Sequence, residues 1–235
     1  MILNTFETLP VHIRERILAF NASLERILGA NLVGVLLHGS VARGEYRPGQ
    51  SGVDALIILT DAPFDKLEAM GETLQRARYD ASLEALIVTE DEIRGAADVF
   101  PLFYDEIKER HILLSGRDPF ANVEVQNTHR RLRIEQELRE TQIWLRSAVT
   151  DALGAREAIG GAVSRKVRQI RSALLALLAL KGIACAPDFA SVLAKAGETY
   201  GVDTKPLRDA REAPDAAYAA LATLLGKAIA DVDSM

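Results

Sequence analysis

Apolar residues recur at helical spacing near the start of the chain. Ile13, Ile17, Phe20, Leu24 and the Ile27/Leu28 pair fall on one face. A helix with one buried side is therefore predicted between the Thr8-Leu9-Pro10 start and the Gly29-Ala30-Asn31 stop. The pattern then changes. Leu32 to Leu37 and Val53 to Leu59 are short unbroken apolar runs, as expected of strands buried on both faces. Between them, Gly39-Ser40 turns the chain into a short helical stretch, Val41 to Arg43. Arg47-Pro48-Gly49-Gln50-Ser51-Gly52 has the composition of a loop. A helix from Phe64 to Tyr79 and a third strand from Ser82 to Val88 follow. Thr89 and Glu92 predict a capping box at the head of the next helix. Another amphipathic segment begins around Phe100-Pro101 and ends near Gly116.

After Asp118-Pro119-Phe120 the pattern is helical almost throughout. One long helix is predicted from Thr128 to Leu153, with Leu132, Leu138, Leu145, Val149 and Leu153 on its buried side. A second is predicted from Ala155 to Lys181, stopped by Gly182. Shorter ones follow near 188–200, 204–211 and 214–231. No internal repeat is visible. The expected fold class is α+β: a small mixed sheet with helices on one side over residues 1–120, then a C-terminal helical bundle over residues 121–235.

Composition narrows the function classes. The chain has 235 residues, 49% apolar and 26% charged, the balance of an ordinary soluble protein. Its net charge of -5 argues against a general nucleic-acid binder. Residues 1–120 hold 12 Lys/Arg against 19 Asp/Glu, and residues 121–235 hold 16 against 14. An acidic first half suits Mg²⁺ with a nucleotide, or is simply a solvated surface. The single cysteine, Cys185, excludes an intramolecular disulfide and argues against a Cys-based zinc site. The N-terminus lacks the order of a signal peptide, and the longest apolar run, Ala173 to Leu180, is too short to span a bilayer. A cytoplasmic protein with no membrane partner is expected. Arg130, Arg131 and Arg133 are followed on their helix by Glu135, Glu137 and Glu140, which neutralise much of their charge. With Arg165, Lys166, Arg168 and Arg171 they form either a solvated face or a surface for an acidic acceptor.

Candidate chemistry concentrates in residues 37–60, LHGSVARGEYRPGQSGVDALIILT. Gly39 permits a close approach of backbone to a phosphate. Ser40 offers a hydroxyl, and Arg43 reaches either a phosphate or a salt-bridge partner. His38 adjoins the turn, as a structural residue or as one that approaches a phosphate. Strand side chains alternate, so positions 52 and 54 face the same way, and two carboxylates there would share a divalent ion. This chain has Asp54 but Gly52. Glu84, in ASLEALIVT, is the candidate for a further carboxylate, and Asp80 is the alternative.

The string from His38 to Asp54 resembles the signature of the DNA polymerase β-like nucleotidyltransferases: a Gly-Ser turn, a loop, and an Asp-x-Asp at the start of the next strand. It is similar to the small bacterial branch that includes kanamycin nucleotidyltransferase and the minimal nucleotidyltransferase antitoxins. The resemblance is strong over about residues 33–60. It implies transfer of a nucleoside monophosphate from an NTP to a hydroxyl, with Mg²⁺. Gly39, Ser40 and Arg43 would hold the phosphates, Asp54 and Glu84 the metal, and Glu84 alternatively the acceptor's proton. It implies a nucleotide and a small-molecule or protein acceptor as partners, and homodimers are common in that branch. The second domain would pack on the core and close one side of the cleft. None of the four histidines carries the upstream Arg of the helical HEPN ribonucleases. Gly52 replaces the first aspartate of the signature. The rival expectation is therefore a degenerate member that senses nucleotide or binds a protein.

Overall fold

The computed structural model describes residues 5–235. The chain divides into two compact units, one ending at Val125 and the other running from Gln126 to Met235.

The first unit opens with helix α1 (Val11–Leu28), which ends where Gly29 takes a positive φ. Its periodic residues Ile13, Ile17, Phe20, Leu24 and Leu28 are all buried, as the spacing predicts. Strand β1 (Leu32–His38) runs into the five-residue helix α2 (Gly39–Arg43). Strand β2 (Val53–Leu59), helix α3 (Phe64–Ala81) and strand β3 (Leu83–Thr89) follow. Thr89 and Glu92 form the expected capping box on α4 (Glu90–Gly95). The amphipathic segment beginning near Pro101 is two elements rather than one. Helix α5 (Pro101–Glu109) is followed by an edge strand, β4 (Ile112–Gly116). That strand is short and only half-buried, so it lacks the unbroken apolar run of β1 and β2.

The sheet is mixed and four-stranded, in the order β3-β2-β1-β4. β1 pairs antiparallel with β2 and with β4, and β2 pairs parallel with β3. Helices cover both faces, not one as expected from the sequence. Val53, Ala55, Ile57 and Leu59 of β2 pack with α1 and α3. Leu56 and Ile58 point the other way, into a second core with Ile93 of α4 and Tyr104 and Ile107 of α5. Two buried faces explain why β1 and β2 read as continuous apolar runs. Asp54 and His38 lie at the strand ends on the α4/α5 face, beside Leu56 and Leu36.

The second unit is helical. Helix α6 (Asn127–Asp151) buries Ile134, Leu138, Thr141 and Leu145. Leu132 and Leu153 of the predicted face are exposed instead. The long second helix is broken at Ile170 into α7 (Arg156–Gln169) and α8 (Arg171–Leu180). Helices α9 (Phe189–Tyr200), α10 (Lys205–Arg208) and α11 (Pro214–Asp233) complete the bundle. The buried α11 residues Leu221, Leu224, Leu225, Ala228 and Val232 form its apolar face. An ionic knot ties its end. Asp231 accepts from Lys181 Nζ and, at 2.7 Å, from the Tyr200 hydroxyl. Among the described residues no helix is long and apolar enough to cross a membrane.

Candidate active site

The antiparallel register of β1 and β2 places His38 directly opposite Asp54. The parallel register of β2 and β3 places Glu84 directly beside Asp54 on its other flank. Residues opposed in register project from the same face. His38, Asp54 and Glu84 therefore form one row across three strands. The row lies on the face covered by α5, where Phe103 meets the His38 ring edge-on with centroids 5.4 Å apart. Glu84 is exposed because β3 is an edge strand there, whereas Asp54 and His38 are half-buried.

The turn after His38 is built around the Asp54 carboxylate. Gly39 has φ of +64°, and a Cβ placed on it would lie 2.2 Å from Asp54 Oδ2. Glycine is required twice over, by the backbone angle and by the approach of the acid. Ser40 Oγ lies 3.5 Å from the Gly52 carbonyl, too long for a firm hydrogen bond. Arg43, three residues further on α2, is held by acids. Its Nε donates to Glu45 at 2.9 Å and its Nη1 donates to Glu106 of α5. In the structure it thus takes the salt-bridge role that the sequence allowed. Asp80 sits at the end of α3, outside the row, on the wall of a cavity of about 400 Å³ that Tyr46, Gln50 and Gly52 also line. None of His38, Asp54 and Glu84 lines that cavity.

Two features of the row are electrostatically costly. Among the described residues no protein hydrogen bond reaches the Asp54 carboxylate. Burial raises its pKa above the usual carboxylate range, against the nearby charges of His38 and Arg43 and with the help of Glu84 and Glu106. Burial likewise lowers the pKa of His38, although Asp54 and Glu106 pull it upward. A half-buried acid beside a second carboxylate is a donor set that fits a hard divalent ion with oxygen ligands. Among the described residues, however, no three metal-binding side chains stand together. Position 52 explains this. Gly52 supplies no side chain, and a Cβ there would meet only the Ser82 carbonyl, at 3.0 Å. The strands offer two carboxylates, Asp54 and Glu84, in neighbouring register. Sequence reasoning left the direction of Glu84 open and did not find Glu106. The first depends on strand pairing and the second on helix packing, so neither leaves a local signal.

A mixed sheet with a Gly-Ser turn leading into an acid-bearing strand is the arrangement by which the first unit resembles nucleotidyltransferase domains. Residues 17–114 match the nucleotidyltransferase domain family. The whole chain is similar in fold to spectinomycin adenyltransferase from Enterococcus faecialis, a structure containing ATP and spectinomycin. The TM-score is 0.55 at 13% identity, covering 93% of this chain and 98% of that one. No curated protein matches the chain by sequence.

Proposed function

We propose that the protein transfers a nucleoside monophosphate from an NTP to a hydroxyl group of a small molecule. The carrying observation is the row of His38, Asp54 and Glu84 beside the Gly39-Ser40 turn, on a nucleotidyltransferase domain. Gly39 and Ser40 receive the β- and γ-phosphates, the turn offering a Ser40 hydroxyl held only by a 3.5 Å contact to the Gly52 carbonyl. Asp54 and Glu84 hold a divalent ion, Mg²⁺ in the first instance. When bound, that ion offsets the charge that builds on the phosphates and on the departing pyrophosphate. Alternatively Glu84, the exposed member of the row, takes the acceptor's hydroxyl proton. The acceptor oxygen then bonds to the α-phosphorus as the bond to pyrophosphate breaks. The fold likeness to an adenyltransferase solved with ATP and spectinomycin supports a small-molecule acceptor over a protein one.

The melting temperature with each of the four NTPs, with and without Mg²⁺, tests this reading. Ligand at a hundredfold excess over its Kd stabilises a protein by about 2.7 kcal/mol. A Mg²⁺-dependent rise that Asp54→Ala abolishes is the expected result. No rise with any NTP would sink the proposal.

A second reading has its own observation. Gly52 removes one acid of the signature, and among the described residues no three ligands converge. The fold would then serve as a nucleotide sensor or a protein-interaction module without catalysis. In that case any nucleotide-induced rise is independent of Mg²⁺ and survives Asp54→Ala.

A further inference from the structure

The acid missing at Gly52 has a counterpart on the helix that covers the site. Glu106 lies one turn after Phe103 on α5, and Phe103 packs on the His38 ring. Residues three apart share a helix face, so Glu106 turns towards the same row. Its charge is felt by both His38 and Asp54. It is not available to a cation in this state, because Arg43 holds it in an ion pair. That pair is sheltered, with only 17% of the Arg43 side chain and 26% of the Glu106 side chain exposed.

Arg43 also belongs to the phosphate turn. It stands three residues after Ser40 on α2, on the same face of that short helix. A triphosphate at Gly39-Ser40 would present several oxygens and more negative charge than one carboxylate. A guanidinium binds such oxygens in bidentate fashion. We propose that Glu106 is the third carboxylate of the site, held in reserve by Arg43 and delivered when the phosphates of a bound nucleotide draw the guanidinium away. The exchange conserves charge pairing: Arg43 passes from carboxylate to phosphate, and the divalent ion takes over Glu106. It explains how a chain with Gly52 has an incomplete ligand set before nucleotide binds and a complete one afterwards. The inference rests on the nucleotide reading above and adds to it a coupling between metal and nucleotide.

Three single variants and one double variant read that coupling without catalysis. The first readout is the Kd of ATP by equilibrium dialysis, with and without Mg²⁺. In the parent chain Mg²⁺ should tighten ATP by about tenfold or more, and in Glu106→Gln by no more than about twofold. Glu106→Asp should recover part of the effect. The second readout is Mn²⁺ binding by EPR in the absence of nucleotide. Arg43→Gln removes the guanidinium that pairs with Glu106, so it should bind Mn²⁺ more tightly than the parent, a gain that adding Glu106→Gln to it should abolish. Full Mg²⁺ coupling retained in folded Glu106→Gln, or no gain in Arg43→Gln, overturns the proposal and leaves the nucleotide reading standing. A parent chain that binds no ATP overturns both.

Discussion

The carboxylate of Asp54 occupies the space where any side chain on Gly39 would begin. A Cβ at position 39 would stand 2.2 Å from Asp54 Oδ2, and the backbone there has φ of +64°. The Gly39-Ser40 turn and the Asp54 carboxylate are thus one object, each shaped by the other. Gly39→Ala should lower stability by about 2 kcal/mol or more, from the overlap and the left-handed backbone together. In an Asp54→Ala background the overlap disappears, and the same change should cost only about 1–2 kcal/mol of backbone strain. Chemical denaturation of the four chains of this cycle checks the difference. Equal costs in the two backgrounds would mean that the acid does not press on the turn in solution.

Restoring the signature is a separate test. Gly52→Asp places a carboxylate two residues before Asp54, with the Ser82 carbonyl 3.0 Å from the new Cβ. The neighbour must yield slightly, so a stability loss of about 1 kcal/mol is expected. Mg²⁺-dependent stabilisation by nucleotide should increase, because the strands now supply the ligand that the parent lacks. A variant whose Mg²⁺ response matches the parent's would show that position 52 is not what limits metal binding.

The row should also leave a mark on stability against pH. Asp54 has a raised pKa in the fold, so its ionisation disfavours the native state as pH rises through the carboxylate range. Asp54→Asn should therefore raise the melting temperature at pH 7 without metal, and the gain should vanish in acid, where the parent's carboxyl is protonated. His38 has a lowered pKa, so its contribution is full above its ordinary value of 6.5 and is lost as pH falls below that. His38→Gln should flatten the stability curve between pH 6.5 and the lowered folded pKa. Melting curves of the parent and both variants at a series of pH values read the two slopes. A steeper acid slope in His38→Gln would contradict this account.

In the helical unit the knot around Asp231 carries a prediction of its own. Tyr200 donates to Asp231, and burial with this charged neighbour raises the pKa of the phenol well above its usual value. Tyr200→Phe should cost about 1 kcal/mol, the net worth of one hydrogen bond. Asp231→Ala should cost about 2 kcal/mol, because it leaves both the Lys181 ammonium and the Tyr200 hydroxyl without this acceptor. Denaturant midpoints at neutral pH compare them, and a larger loss from Tyr200→Phe would reverse the assigned roles.

Much of the first unit is legible from local pattern. The buried faces of α1, the runs of β1 and β2 and the Thr89–Glu92 capping box all follow from spacing within a few residues, because each arises from contacts along one element. The second half is read less well. Leu132 and Leu153 fit an apolar stripe but are exposed, while Thr141 is buried with Ile134, Leu138 and Leu145. In a bundle, the buried stripe of a long helix is chosen by its neighbours, and several registers satisfy a period near 3.6. Strand β4 was hidden for a related reason: an edge strand with half-buried residues has no unbroken run to reveal it.

The sequence by itself determined the Gly39-Ser40 turn, the acid opening β2 and the absence of a side chain at Gly52, since these depend on residue identity and short spacing. Tertiary structure alone decided which groups meet. Strand register set Glu84 and His38 on either side of Asp54, and the packing of α5 brought Glu106 to Arg43. Glu106 is 52 residues from Asp54 in the chain, and no periodicity encodes a meeting at that distance. It is fixed by the apolar residues Tyr104 and Ile107, which seat α5 on the sheet and so aim the acid beside them.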